Sequence, residues 1–153
     1  MVRADGTTRS IPFAEFHRAP GDAPHIEVAL EYGELITHIV ISNMPAARRS
    51  HYLKVRDRAS YEFALASAAV VLDLDGDTIR AARLGLGGIA TKPWRASEAE
   101  RMLTGRKASD ETFREAAEIA LAGASAREHN YFKIELAKRT IVRAFATARD
   151  ANV

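Results

Sequence analysis

The sequence predicts an α+β fold in which a three- to four-stranded antiparallel sheet is followed by three helices packed on one face. Two observations carry this prediction. Three strand-like segments follow one another between residues 52 and 86, and a helical period of apolar residues replaces them after residue 94. Strands first and helices afterwards, without alternation, are typical of α+β domains. The length of 153 residues and the 47% hydrophobic composition fit one domain with a short appendage.

The predicted strands cover residues 52–58, 63–74 and 78–86. The second is the longest, and its apolar run predicts burial on both faces of the sheet. Asp75 and Gly76 separate it from the third strand. Because glycine accepts the positive φ that a tight primed turn requires, this pair predicts a hairpin. Strands joined by such short connections are antiparallel neighbours.

Capping residues predict where the first two helices begin and end. Ser97 and Glu100 have the spacing of a capping box, which predicts a short helix that stops at Gly105. Ser109 precedes two carboxylates, which favour the positive end of a helix dipole, so a second helix is expected to begin there. Gly123 is expected to end it.

The last helix is expected to open at Asn130. Its apolar residues recur at three- and four-residue intervals and predict a stripe that faces the core. These residues are Ile134, Ala137, Ile141, Ala144, Phe145 and Ala148.

The N-terminal part of the chain is expected to be a separate piece. Residues 9–16 and 26–30 read as extended segments around a loop rich in Pro and Gly, and residues 35–41 are β-branched and predict a strand. A break follows near Pro45. We therefore place a domain boundary there, with residues 1–45 in one part and residues 46–153 in the other.

Composition limits the classes of function. Twenty-two Lys and Arg against 20 Asp and Glu give a net charge of +2, which does not indicate a nucleic-acid partner. Cysteine is absent, so this segment holds neither a disulfide nor an iron–sulfur cluster. The first thirty residues lack the apolar core of a signal peptide, and no apolar run is long enough to predict a membrane span. The compartment stays open between cytoplasm and periplasm.

Charge is concentrated in one segment, residues 48–58, which carries five bases and a single acid, Asp57. Two interpretations remain open. The bases could guard a sheet edge against pairing with other chains, or they could bind an anionic ligand or an acidic partner.

No catalytic constellation is evident. The five histidines lack metal-ligand spacing, and neither a nucleophile elbow nor an isolated carboxylate pair indicates a hydrolase. The run from Gly85 to Gly88 follows a predicted strand but opens no helix, since Pro93 holds Lys92 in extended geometry. It is interpreted as a turn for close packing between strand and first helix. Trp94 is either a core anchor or a contact to another domain.

Several segments resemble one known family. They are HYLKVRDRASYEFALASAAV and HNYFKIELAKRTIVRA in the predicted domain, and FAEFHRAPGDAP and LEYGELITHIVIS before it. The first two are similar to the C-terminal domain of the FAD-binding (medium) subunit of molybdenum hydroxylases, the family of xanthine dehydrogenase and carbon monoxide dehydrogenase. Among these they look closest to the FAD subunit of bacterial periplasmic aldehyde oxidoreductases. The other two resemble the tail of the preceding FAD-binding domain.

The resemblance implies a cofactor and two residues that contact it. FAD is expected in the complete subunit, held by glycine-rich stretches upstream of Met1, and is not expected on this chain alone. Lys54 matches a lysine that approaches the flavin, and Ile36 matches a residue that packs against the flavin ring. The alternatives are that Lys54 is an ordinary surface lysine and that Ile36 only packs in a core. Tyr61 and Glu62 depart from the family pattern.

The resemblance also implies partners. Electrons would pass from a molybdenum-cofactor subunit through an iron–sulfur subunit to FAD, which reduces an external acceptor. Neither nucleic acid nor a membrane is an expected partner, and an exposed strand at residues 35–41 could pair two copies into a homodimer. The rival interpretation is a freestanding basic module that docks an acidic partner or nucleic acid through residues 48–58.

Overall fold

The computed structural model describes residues 1–151, which form two compact units, one from Met1 to Asn43 and one that begins at Met44. The division lies two residues before the boundary expected from the sequence. Within the described residues, no helix combines the length and the apolar composition that a membrane crossing requires.

The first unit contains little regular structure. Helix α1, Phe13–Phe16, replaces the extended segment expected at residues 9–16. The strand expected at residues 35–41 is also wrong, because only Leu35 forms a bridge, with Val2. Residues 36–43 make no backbone hydrogen bond within the described chain. Their β-branched side chains favour a strand, but no partner strand among residues 1–151 pairs with them.

One carboxylate organises the turn of the first unit. Arg9 donates to both oxygens of Glu34, and Glu31 N donates to its Oε2 at 2.8 Å. These bonds stabilise the ionised carboxylate and lower the pKa of Glu34 to about 2. The turn is therefore tied to the segment that carries Arg9.

The second unit opens with a 3₁₀ helix, Pro45–Arg48, and contains a four-stranded antiparallel sheet. The strands lie in the order β1-β2-β3-β4, and their bounds are Ser50–Val55, Ala66–Asp75, Thr78–Gly87 and Trp94–Arg95. The hairpin at Gly76 is confirmed, with φ of 55°. The first strand ends at Val55 and the second begins at Ala66. The end predicted for the first strand and the start predicted for the second therefore lie in a ten-residue loop between them.

Three helices cover one face of this sheet, which confirms the α+β fold. They are α2 (Ser97–Leu103), α3 (Asp110–Ala120) and α4 (Phe132–Asp150). Helix α4 lies over β1 and β2, and α2 lies over β3. The predicted stripe of α4 faces the core, where Phe145 stacks on Phe113 with ring centroids 5.2 Å apart.

The expectation that β2 is buried on both faces is wrong. Ala66, Ala68, Val70 and Leu72 are buried beneath the helices, whereas Ala69 on the other face is exposed. Alanine exposes so little apolar surface that it is tolerated on an open face, and its apolar character concealed the two-residue alternation. The sheet therefore keeps one face uncovered by helices of this unit.

The helix caps were predicted in part. Ser109 is the cap of α3, because its Oγ accepts a hydrogen bond from Thr112 N at 3.2 Å. The capping box at Ser97 is wrong: the cap position is Ala96, and Glu100 turns instead towards the sheet. Its carboxylate accepts from Leu84 N at 3.0 Å and from two nitrogens of Arg95.

The other helix ends differ by a few residues from those expected. Helix α2 stops at Leu103, and Gly105, with φ of 80°, lies in the following turn. Helix α3 ends at Ala120, before Gly123. Helix α4 begins at Phe132, since Asn130 Oδ1 accepts from Arg127 N at 2.6 Å and closes a turn ahead of the helix.

Candidate functional site

The site centres on Lys54, near the end of β1. In the sheet register Lys54 faces Ser67 of β2, which in turn faces Gly87 of β3. Residue pairs in register share a face, and the neighbouring Leu53 packs into the helix-covered core with Ala68. Lys54 therefore lies on the open face of the sheet.

Tyr52 shares this face, two residues earlier on the same strand. It is 60% exposed and faces Ala69, which faces Gly85. The small residues leave a shallow floor beside an aromatic ring and a cation. No motif in the sequence singles out Tyr52, although the two-residue period of a strand through Lys54 places both side chains on one face.

The Lys54 ammonium is held by the main chain. Nζ donates to Glu62 O at 2.6 Å, and Lys54 forms no ion pair with a carboxylate in the part of the chain that the structure describes. An ammonium has three donors, so two remain for solvent or a ligand. Its charge is positioned but not neutralised.

The loop between β1 and β2 supplies that carbonyl, and Glu62 organises it. The Glu62 carboxylate accepts from Arg58 N at 2.8 Å. Tyr61 adopts φ of 54°, a left-handed conformation that is uncommon for a bulky residue, and its side chain is 95% exposed, as is that of Phe63. The departure from the family pattern at Tyr61 and Glu62 therefore falls on a loop with unusual geometry.

Gly87 ends β3, and Gly88 begins a second loop at the same end of the sheet. A Cβ on Gly88, where φ is 73°, would lie 2.7 Å from Ala64 O, and a Cβ on Gly87 would lie 2.7 Å from Ser67 Oγ. Glycine is thus required for close packing at both positions. However, Gly88 approaches the β1–β2 loop and not the first helix. Trp94 is half-buried against the core.

Ile36 belongs to the first unit, whereas Lys54 belongs to the second. Its side chain is 44% exposed on the extended segment that follows Leu35. Within its own unit it is not a core residue. Its contact with a flavin stays a prediction, as does that of Lys54.

The basic residues of the 48–58 segment do not form one surface. Arg49 turns inward, where its Nη1 donates to Arg149 O at 2.6 Å and to Ala151 O at 2.7 Å, at the C-terminal end of α4. Lys54 bonds to the loop, whereas Arg56 and Arg58 are exposed. Among residues 1–151, no group of three or more His, Asp or Glu side chains is arranged to hold a metal ion.

Comparison with known proteins identifies the second unit. Residues 51–148 match the model of the CO dehydrogenase flavoprotein C-terminal domain. The chain is 42% identical to the aldehyde oxidoreductase FAD-binding subunit PaoB of Escherichia coli K12, over 97% of this chain and 43% of that protein. It is 32% identical to the glyceraldehyde dehydrogenase medium chain of Sulfolobus acidocaldarius, over 72% of this chain and 37% of that protein.

A solved structure shows the same fold. Reconstituted CO dehydrogenase from Oligotropha carboxidovorans superposes with a TM-score of 0.71 and 29% identity, over 80% of this chain and 44% of that chain. The chain spans less than half the length of the curated relatives. The family predicted from the sequence is confirmed: this chain belongs to the CO dehydrogenase flavoprotein C-terminal domain family.

Proposed function

We propose that this chain is the C-terminal part of the FAD-carrying subunit of a molybdenum-containing oxidoreductase of the aldehyde or xanthine type, and that it helps to hold and tune the flavin. The observation that carries the proposal is Lys54, a cation on the open face of the sheet that has no carboxylate partner among residues 1–151, beside exposed Tyr52. The names of the Escherichia coli and Sulfolobus acidocaldarius relatives, an FAD-binding subunit and a glyceraldehyde dehydrogenase chain, support FAD and an aldehyde substrate.

The residues of the open face fit the ring of a flavin. A planar aromatic ring needs a flat floor and a stacking partner. Ala69 and Gly85 supply a floor without bulky side chains, next to the buried Ser67, and Tyr52 supplies the aromatic partner. The contact of Ile36 with the ring is part of the same proposal and rests on the family pattern alone.

Lys54 would tune the cofactor through its charge. FAD, when bound, supplies the chemistry of accepting electrons and passing them on. A cation about 4 Å from a negative charge stabilises that charge by roughly 4 kcal/mol at an effective dielectric constant near 20. Lys54 would therefore favour the negative charge that reduction places on the ring and raise the reduction potential. The bond to Glu62 O fixes the ammonium in advance.

The pyrophosphate of FAD needs a different site. Such a site needs a cradle of backbone N–H groups, and the glycines at the end of β3 lead through a bend to strand β4 instead of to a helix. We therefore assign the pyrophosphate to a preceding FAD-binding domain, which corresponds to the additional length of the relatives. A molybdenum-cofactor subunit and an iron–sulfur subunit complete the proposed assembly.

The rival function, a freestanding basic module, has less support. It relied on the concentration of bases in residues 48–58, yet Arg49 is committed to the end of α4 and Lys54 to the Glu62 carbonyl. The exposed bases that remain are Arg48, Arg56 and Arg58, and their closeness in sequence does not by itself make a continuous basic surface.

Flavin binding tests the proposal directly. We expect the isolated chain to purify colourless and to bind FAD weakly, whereas the complete subunit, with the preceding domain, should carry about one FAD. In that complete subunit Tyr52→Ala should lower FAD occupancy or quench less flavin fluorescence than the native protein does. A complete subunit that folds without flavin, or an isolated chain with stoichiometric flavin absorbance, would contradict the assignment.

A further inference from the structure

A second site lies on the helix-covered side of the sheet, away from Tyr52 and Lys54. It is a cavity of about 240 Å³ within the second unit, between the β3–β4 connection, the α3–α4 connection and the first turn of α4. Trp94, whose register partner is the buried Leu86, forms part of its wall. At about 30 Å³ per water molecule, the cavity holds roughly eight waters, or a ligand of about that many non-hydrogen atoms.

A hydrogen bond links two walls of the cavity. Lys133 Nζ, at the start of α4, donates to Gly88 O at 2.8 Å and joins this helix to the β3–β4 connection. Gly88 itself is pinned by its close approach to Ala64 O. Small side chains leave the space unfilled, unlike the close packing of an ordinary core. They belong to Ala90, Ala124, Ser125 and Ala126.

The lining offers hydrogen-bond donors and one positive charge. Lys133 contributes its ammonium, Thr91 and Ser125 contribute hydroxyls, and Trp94 contributes an indole N–H that has no acceptor in the described chain. Asn130 uses its Oδ1 on Arg127 N, so its amide NH₂ group remains. Neither Asp nor Glu is among the residues that line this cavity in the described structure.

This combination selects one class of ligand. The rest of the lining is apolar and comes mainly from Ile89, Leu121 and Ile134. Donors with a single cation favour an anion of one charge, because a phosphate dianion needs further cations or a cradle of amides. The apolar walls favour a hydrocarbon body behind the charged group.

We propose that this cavity binds a small monocarboxylate with an aromatic or branched aliphatic body, about the size of benzoate, with its carboxylate at Lys133 and its body against Trp94. The site goes beyond the proposed function, because it involves neither the open sheet face nor a flavin. It can therefore be tested on the chain alone.

The test is a titration of the ¹⁵N-labelled full chain with benzoate, followed by backbone NMR. We expect saturable shifts at the amides of Ala90, Thr91, Ser125 and Ala126. Benzamide has nearly the same shape without the charge and should bind about tenfold more weakly, since a hydrogen bond to a charged group is worth about that much.

Two lysine variants separate the site from general charge effects. Lys133→Met should weaken benzoate binding by about tenfold or more. Lys107→Met is the matched control, because Lys107 bridges to Thr78, at the opposite end of β3 from Gly87, and it should leave binding unchanged. The spectrum of each variant without ligand reports whether it is folded.

The comparison of benzoate with benzamide on the native chain decides the question even if Lys133→Met fails to fold. Equal binding of the two compounds, shifts that do not saturate, or shifts confined to residues outside the cavity would overturn the proposal. So would a folded Lys133→Met chain that binds benzoate as tightly as the native chain does.

Discussion

Arg49 is predicted to fasten the end of the longest helix, and Arg49→Met tests this. Its guanidinium Nη1 lies 3.2, 2.6 and 2.7 Å from the carbonyl oxygens of Ala148, Arg149 and Ala151. The last four carbonyls of a helix have no partner within the helix, so this one side chain satisfies several of them across about 100 residues of sequence. Methionine keeps most of the apolar stem and removes the donors and the charge.

The magnitude follows from these bonds. Hydrogen bonds to a charged group contribute about 1.5–3 kcal/mol, and a cation at a helix C-terminus adds about 0.3–1 kcal/mol. Water can replace part of this at a half-buried helix end. We therefore expect Arg49→Met to lower the free energy of unfolding by about 2 kcal/mol.

Urea unfolding followed by circular dichroism measures the change, and the neighbouring exposed Arg48 provides the control. Arg48→Met should change the free energy of unfolding by less than about 0.5 kcal/mol, as is usual for surface substitutions. Hydrogen exchange should show that Arg49→Met speeds exchange in the last turns of α4. Equal stability of the two variants would refute the fastening role.

Three further predictions concern other parts of the chain. Burial raises the pKa of Glu100, but the hydrogen bonds from Arg95 and Leu84 N outweigh burial and lower the pKa. The ionised carboxylate should therefore stabilise the fold above about pH 4.5, and this stabilisation should be lost as the pH falls below that value. Glu100→Gln should reduce the pH dependence of the free energy of unfolding, measured in urea titrations. Gly88→Ala should destabilise by about 1–3 kcal/mol in the same assay, because of its positive φ and the Ala64 contact, whereas Gly123→Ala, which meets no atom within 4 Å, should have little effect. In hydrogen exchange, amides of residues 36–41 should exchange fast at low protein concentration and, if copies pair into a dimer, more slowly at high concentration. Protection that is independent of concentration would contradict the domain boundary near Pro45.

Local signals predicted much of the fold. The glycine of the hairpin at Gly76, the cap at Ser109 and the apolar stripe of α4 each depend on residues close in sequence, and each is confirmed. Their conformations are decided by backbone sterics, by a short hydrogen bond and by helical periodicity, which tertiary contacts here reinforce.

The errors arose where a distant partner decides the outcome. Ser97 and Glu100 have the pattern of a capping box, but Arg95 and the β3 amide of Leu84 take the carboxylate. Residues 36–41 have strand propensity, but no strand lies beside them within their unit. In β2 the apolar run predicts burial on both faces, but Ala69 is exposed, because alanine is small enough for an open face.

The candidate site was predictable only in part. Lys54 was identified from the family resemblance, and strand alternation would have added Tyr52. The contact of Gly88 with Ala64 and the bond from Lys54 to Glu62 O depend on how two loops meet, which periodicity does not encode. The positive φ of Tyr61 is likewise a consequence of that loop and not of its residue type.

The central claim is that Lys54 sets the electrostatic environment of a bound flavin, and potentiometric titration of the complete subunit tests it most directly. Lys54→Met should lower the flavin midpoint potential by at least about 30 mV, equivalent to about 1.4 kcal/mol for a two-electron couple. Lys107→Met removes an equal charge about 30 Å away along β3 and should leave the midpoint unchanged. An unchanged midpoint in a folded Lys54→Met subunit with full FAD occupancy would contradict the account.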